Sequence, residues 1–402
     1  MTAAAAVADS AVRPSPGPTT GRPRLEAVDV LRGLIMIIMA LDHTRDFFSI
    51  PGLSPTNMET TTPALFFTRW ITHFCAPVFF LLTGTGAYLS LRKKTPAQLS
   101  RFLLTRGLWL IFLDLVVVRC LAYQFNFDYR VTILLVLWAL GWAMIVLSAL
   151  VWLPASVVTG IGVAIIALHN LLDGVKSTNP LWLIIHQPGF ALTGPHTVFV
   201  AYPLVAWVAV TAVGYGLGQI YRWDADRRRA FLLRLGLGMI VAFVLLRASN
   251  VYGDPSRWAT QTSPLFTVMS FLNPSKQPPS LLYLLMTLGP AMLFLRAVDG
   301  GTPNLLKPAS VIGKVPLFYF VLHFALLHLL AVVICLVRYG SAHWMFESPD
   351  MGNYPFTPPP GWGYTLPIVY VVWISVVVAL YPLCRWFAGL KQRRREAWLS
   401  YL

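Results

Sequence analysis

The sequence predicts an all-α fold: a polytopic integral membrane helical bundle of about ten transmembrane helices with both termini in the cytoplasm. Three observations predict it. Of 402 residues, 56% are hydrophobic and only 12% charged, where soluble chains carry roughly a quarter charged residues. The apolar residues fall in runs of about 20, the length needed to cross a hydrocarbon core. The basic residues sit in short clusters between those runs, as in Arg92-Lys93-Lys94, Arg227-Arg228-Arg229 and Arg393-Arg394-Arg395. The formal charge of +15 therefore sets orientation and attracts anionic membrane lipid, and no nucleic-acid partner is expected.

The expected spans lie at 27–48, 64–91, 99–122, 131–151, 154–173, 197–220, 230–249, 279–298, 311–337 and 364–388. Of the Lys and Arg that lie in connections, most fall at 92–98, 221–229, 299–310 and the tail from 389. Those at 49–63, 123–130, 174–196, 250–278 and 338–363 are aromatic, mostly long and Pro-rich, with few basic residues. The positive-inside rule then puts the N-terminus in the cytoplasm, and an even number of crossings returns the C-terminus there. The turn at Trp152 to Pro154 is short and uncharged, so it adds nothing to the orientation. Residues 1–24 predict a disordered cytoplasmic tail, 25–388 the membrane domain and 389–402 a basic cytoplasmic tail. Cys75, Cys120, Cys335 and Cys384 lie far apart with no CxxC, so the cysteines signal neither a zinc site nor a disulfide framework, and no metal ligand is assigned. Gly214, Gly216 and Gly218 predict a face for close helix packing.

Ionisable groups inside the hydrocarbon cost about 2.5–3.5 kcal/mol each at a helix centre, so each needs a reason. The first span carries Asp29 and Arg32 near its cytoplasmic end and Asp42, His43, Arg45 and Asp46 near its outer end. Thirteen residues at 1.5 Å rise separate the two acidic positions by about 20 Å, giving one polar station per side. Arg69 and His73 share a face of the second span at the depth of Asp42 and His43, followed by Pro77. Asp114 and Arg119 lie in the third span; Tyr319, His323 and His328 lie in the ninth. If these helices are neighbours, the polar residues converge on a buried cavity open to the outside. The competing expectation is that the Asp–Arg pairs are struts between helices. His169, His186, His196 and His343 fall at span ends or in outer loops, where an interfacial role is expected. Arg92, Lys93, Lys94, Arg101 and Arg106 surround the cytoplasmic ends of the second and third spans, and the last two continue into the span, where they could hold an anion.

The runs RLEAVDVLRGLIMIIMALDHTRDFF (24–48) and FFTRWITHFCAPVFFLLTGTGAYL (66–89) resemble bacterial relatives of the heparan-α-glucosaminide N-acetyltransferase catalytic domain. RGLWLIFLD (106–114), VLWALGWAMI (136–145), YPLVAWVAVTAVGYGLG (202–218), PPSLLYLLMTLGP (278–290) and GKVPLFYFVLHFALLH (313–328) extend the resemblance over about 24–335. It implies a transmembrane acyltransferase that takes acetyl-CoA, or another acyl-CoA, from the cytoplasm as co-substrate and acylates a sugar or glycan on the far side. It also implies that Asp29 and Arg32 are the family's first-span pair and Arg106 its third-span basic residue on the CoA side. The sequence departs from the family at Asp42, where Asn is usual, and at His73, where Asp is usual. Residues 49–63 contain no histidine to match the family's catalytic one in the first outer loop.

The expected catalytic set is therefore His43, His73, Asp42, Arg45, Arg69 and His323, and the expected acyl-CoA set is Asp29, Arg32, Lys93, Arg101 and Arg106. A buried His–carboxylate pair can deprotonate an acceptor or carry the acyl group, and arginine can offset an oxyanion. Outer aromatics such as Trp258, Trp344, Tyr354 and Trp362 suit interfacial anchoring or stacking on sugar rings. No permanently bound cofactor is implied, a homodimer is compatible, and the location is the bacterial cytoplasmic membrane. Two alternatives stand beside this: a proton-coupled transporter or lipid/glycan carrier relaying through Asp114, His323, His73 and Asp42, and a non-catalytic membrane scaffold.

Overall fold

The structure is a computed structural model describing residues 23–348, 355–394, 396, 399 and 401. Most of the expected N-terminal tail, Tyr354 and Arg395 thus lie outside the described residues. Helix α1 (Pro23–Phe48) leads to α2 (Pro63–Thr72) and α3 (Cys75–Ser90), which continue each other across a break, and to α4 (Pro96–Phe112). α4 passes into a π-helical stretch, Leu113–Tyr123. Strand β1 (Val131–Leu134) precedes α5 (Val136–Leu150) and α6 (Ala155–Leu168). Then come α7 (Pro180–Ile185), β2 (Gly189–Leu192), β3 (Thr197–Val200), α8 (Leu204–Leu217) and α9 (Ala225–Ser249). The chain finishes with α10 (Pro264–Phe271), α11 (Leu281–Val298), α12 (Lys307–Gly313), α13 (Pro316–Tyr339) and α14 (Leu366–Arg393).

The starts of these helices are written locally. Thr62 caps α2 and Thr95 caps α4, each followed by a proline whose missing N–H costs nothing at the first helical position. Ser263-Pro264 opens α10 in the same way, while Ser280 caps α11 and Asp224 caps α9. Among the described residues, seven helical stretches are long and apolar enough to cross a membrane, and α5 is a shorter apolar helix. The molecule is thus a mostly helical membrane protein. Each expected span contains a helix, but 131–134 and 197–200 are strands, so α5 and α8 begin later than expected. β1 pairs parallel and β2 antiparallel with β3 in a small sheet that the sequence did not announce.

α1 is the central post, packed against α2, α3, α12, α13 and α14. It meets α12 backbone to backbone: a Cβ on Gly33 would fall 1.7 Å from the Ala309 carbonyl oxygen, and one on Gly313 would fall 1.8 Å from that of Asp29. α3 and α8 touch likewise at Gly84 and Gly214, so the expected packing role of Gly214 holds. α9 and α14 lie at the periphery and expose apolar side chains such as Val241, Leu245, Val371 and Val378, the surface a bilayer would cover.

Candidate functional site

At the Asp42 end of α1 the polar residues converge as the spacing implied. The Asp42 carboxylate accepts from Arg45 Nη2 at 3.1 Å and from Arg69 Nη1 of α2, and Arg45 Nη2 also donates to Asp46 at 2.7 Å. Arg69 is held further by Thr72 Oγ1 at 3.2 Å. Two carboxylates and two guanidiniums therefore balance in charge. His43 projects beside them, its ring centroid 4.1 Å from that of Phe324 and 5.2 Å from that of His323. Its Nδ1 lies 3.8 Å from Asp46 Oδ2 and makes no hydrogen bond.

A cavity opens on this cluster, lined by Asp42, His43, Thr72, Cys75, Asp114, Tyr202 and Lys276 among apolar side chains. Lys276 comes from the segment between α10 and α11. Asp254 pins that segment on both sides, accepting from Ser275 N–H at 2.8 Å and Ser280 Oγ at 2.7 Å. Burial, aided by the nearby Arg69 guanidinium, pulls the Lys276 ammonium down to about 8.

At the Asp29 end, Arg32 Nη1 donates to Asp29 at 3.0 Å and to the Gly313 carbonyl at 3.2 Å. Here a second cavity is lined by Arg32, Arg106 and Lys314 with Thr83, Ser90 and apolar side chains. Its lining carries three cations and no carboxylate. Phe79, Leu137, Leu140 and Phe320 line both cavities, so the two share one apolar wall. Arg32 and His43 are eleven residues apart on α1, about 16 Å along the axis.

The structure sorts the residues expected from sequence. Asp42, His43, Arg45, Arg69, Asp29, Arg32 and Arg106 take part in the two stations. His73 is buried but does not line the cavity. Pro77 has no N–H to give the His73 carbonyl, which accepts instead from Tyr283 Oη at 2.7 Å, and the helix breaks there. His323 is fully buried behind His43, its Nδ1 turned to the Tyr319 carbonyl at 3.1 Å. Lys93 and Arg101 face outward and do not line the cationic cavity, because they occupy the turn before α4 and its solvent-facing side. Arg119 latches the 124–131 connection through the Asn126 carbonyl at 2.7 Å, and His328 is stacked 3.8 Å from Phe125. Asp114 accepts from Leu135 and Trp138 N–H at 3.2 and 3.0 Å and so caps the start of α5. A relay through Asp114, His323, His73 and Asp42 has no continuous chain of such bonds among them. Trp258 and Trp362 turn their indole N–H groups inward, to the Arg247 and Phe47 carbonyls at 2.8 and 3.0 Å. Lys276, Lys314 and Asp46 were missing from the expected set; Lys276 had one signal, a lysine in a connection otherwise poor in basic residues.

The fold and site define a membrane helical bundle with a cationic cavity at one end and a histidine–carboxylate cavity at the other. Residues 24–249, more than half of the chain, match the family described as heparan-α-glucosaminide N-acetyltransferase, catalytic, and the chain belongs to that family. No curated protein matches the chain.

Proposed function

We propose that this protein moves an acyl group, acetyl by the name of its family, from cytoplasmic acyl-CoA to a glucosaminide-type sugar or glycan on the far side of a bacterial cytoplasmic membrane. The observation that carries the proposal is the shared wall of Phe79, Leu137, Leu140 and Phe320 between a cationic and a histidine-bearing cavity. The clusters at 92–94 and 227–229 support a cytoplasmic Arg32 end of α1 by the positive-inside rule. There Arg32, Arg106 and Lys314 offer the fixed positive charge that CoA phosphates need. The apolar wall suits the pantetheine arm, which carries the thioester toward His43.

In the far cavity His43 takes the proton from the acceptor amine or hydroxyl as that atom attacks the thioester carbonyl. The carbon–sulfur bond then breaks, the acyl group stays on the acceptor, and the CoA thiolate leaves and is protonated. Asp46 Oδ2, 3.8 Å from Nδ1, is near enough to stabilise the imidazolium by its charge. Asp42 is already neutralised by Arg45 and Arg69, so it keeps α1 and α2 in register rather than competing for that proton. Lys276 supplies the charge that offsets the oxyanion.

The test is transfer of radiolabelled acetyl from acetyl-CoA to glucosamine and to glucosaminide oligosaccharides by purified protein. Label should appear in the acceptor with wild type and be lost in His43→Ala, with acetyl-CoA still bound. Protein that neither binds acetyl-CoA nor transfers the label would refute the proposal.

A further inference from the structure

Away from both cavities, three potential metal ligands meet where α6 ends. His169 and Asp173 lie on the short 3-10 turn His169–Leu172 and at its C-cap, and His186 caps the C-terminus of α7. One donor atom from each side chain lies within 4.8 Å of the other two. His169 and His186 are only 4% and 2% exposed, and neither ring nitrogen of either residue has a hydrogen-bond partner. His186 Nε2 comes within 3.3 Å of Asp173 Oδ1 without hydrogen-bond geometry, and the Pro279 carbonyl faces His169 without closing a bond.

Buried polar groups without partners are costly, so two such imidazoles side by side need an explanation. A His–Asp ion pair accounts for one ring and leaves His169 unpaired. A metal accounts for one nitrogen of each ring and for the carboxylate together. The surroundings support this. Asn170 Nδ2 donates to Asp173 Oδ2 at 2.7 Å, which leaves Oδ1 facing the histidines, and Asn170 Oδ1 accepts from Leu281 N–H at 2.9 Å. Ligating carboxylates are oriented by such outer hydrogen bonds.

We infer that His169, Asp173 and His186 form a zinc site with a fourth position open to water. Two imidazoles and one carboxylate suit a first-row divalent ion, and zinc above the hard oxygen-seeking cations. Zinc–ligand bonds of about 2.0–2.1 Å place tetrahedral donors roughly 3.3 Å apart, the separation His186 Nε2 and Asp173 Oδ1 already have, so the widest pair closes by up to about 1.5 Å through side-chain rotation. The bound ion ties α6 to the connection that carries α7. Through Asn170 it also braces the start of α11, beside the segment that carries Lys276.

The experiment uses full-length, tag-free protein in detergent, stripped with chelator and titrated with zinc against a chromogenic competitor. Wild type should take up about one zinc per chain with a thermal transition that rises on loading. Asp173→Asn and His186→Ala should weaken zinc binding by 100-fold or more and abolish the thermal rise, and Asn170→Ala should weaken it about 10–100-fold. His343→Ala, in an exposed loop, should bind zinc as wild type does. Wild type without a saturable site, or Asp173→Asn and His186→Ala binding as wild type does, overturns the inference. Asp173→Asn keeps an amide beside Asn170, so a folded ligand variant remains if His186→Ala fails to fold.

Discussion

The two ends of α1 are built on the same helix by the same spacing, yet they differ in charge balance. At the Asp42 end two carboxylates face two guanidiniums in a closed network, and the cavity is also lined by His43, Lys276 and Asp114, the last held by two backbone N–H groups. At the Asp29 end one carboxylate meets Arg32, while Arg106 and Lys314 add positive charge to the same cavity. A balanced network is rigid and suits chemistry on an uncharged acceptor, whereas a cavity lined by three cationic side chains suits a multiply charged phosphate ligand. A spacing rule read along one helix therefore marks both stations but does not say what each one binds; the neighbouring helices decide that.

The largest expected effect separates the histidines. His43→Ala should lower turnover about 10²–10⁴-fold, as the loss of a general base does, with acyl-CoA affinity unchanged. His73→Gln should keep turnover near wild type, because His73 serves through its backbone carbonyl. Comparable losses in both variants would dissolve the distinction between the cavity-lining and the buried histidine. Next comes the shared wall. Leu140→Trp fills it and should cost about 10²-fold in transfer by displacing the thioester, while binding of free CoA through its phosphates persists. Equal turnover in this variant would mean that the acyl group does not pass there.

The Asp29 end is tested by charge. Arg106→Ala with Lys314→Ala should weaken acyl-CoA about 10–100-fold, measured by equilibrium binding, and the difference from wild type should shrink at high salt. Arg101→Ala should change nothing, since Arg101 faces away from the cavity. The smallest effect concerns pH. Lys276 is held at about 8, so its positive charge is present below that pH and lost above it. Turnover should therefore fall as pH rises through about 8, and Lys276→Arg should move that limb upward. A wild-type rate flat from pH 7 to 9.5 would remove Lys276 from the reaction.

The helices and both stations were legible because buried charge in an apolar run is conspicuous and i, i+3 spacing fixes a face. The Arg69–Asp42 contact followed from matched depth alone. Lys276 and Lys314 were not legible as site residues, because a connection folding back into a bundle leaves no periodicity. Arg101 stands apart for a related reason: five residues before Arg106 is about one and a half turns, which puts it on another face of α4. β1 and β3 were absorbed into apolar runs, since a short buried strand and the start of a helix look alike in composition. The pairing of His169 with His186 stayed hidden because only the fold of the 174–185 connection brings them together.

The central claim is that the two cavities are halves of one route across the membrane. Its most direct test is a compartment assay in proteoliposomes, with radiolabelled acetyl-CoA outside and a glucosaminide acceptor trapped inside. Acetylated acceptor should accumulate inside with wild type and not with His43→Ala, while acetyl-CoA itself remains outside. Acetylation only when donor and acceptor share a compartment would contradict the account.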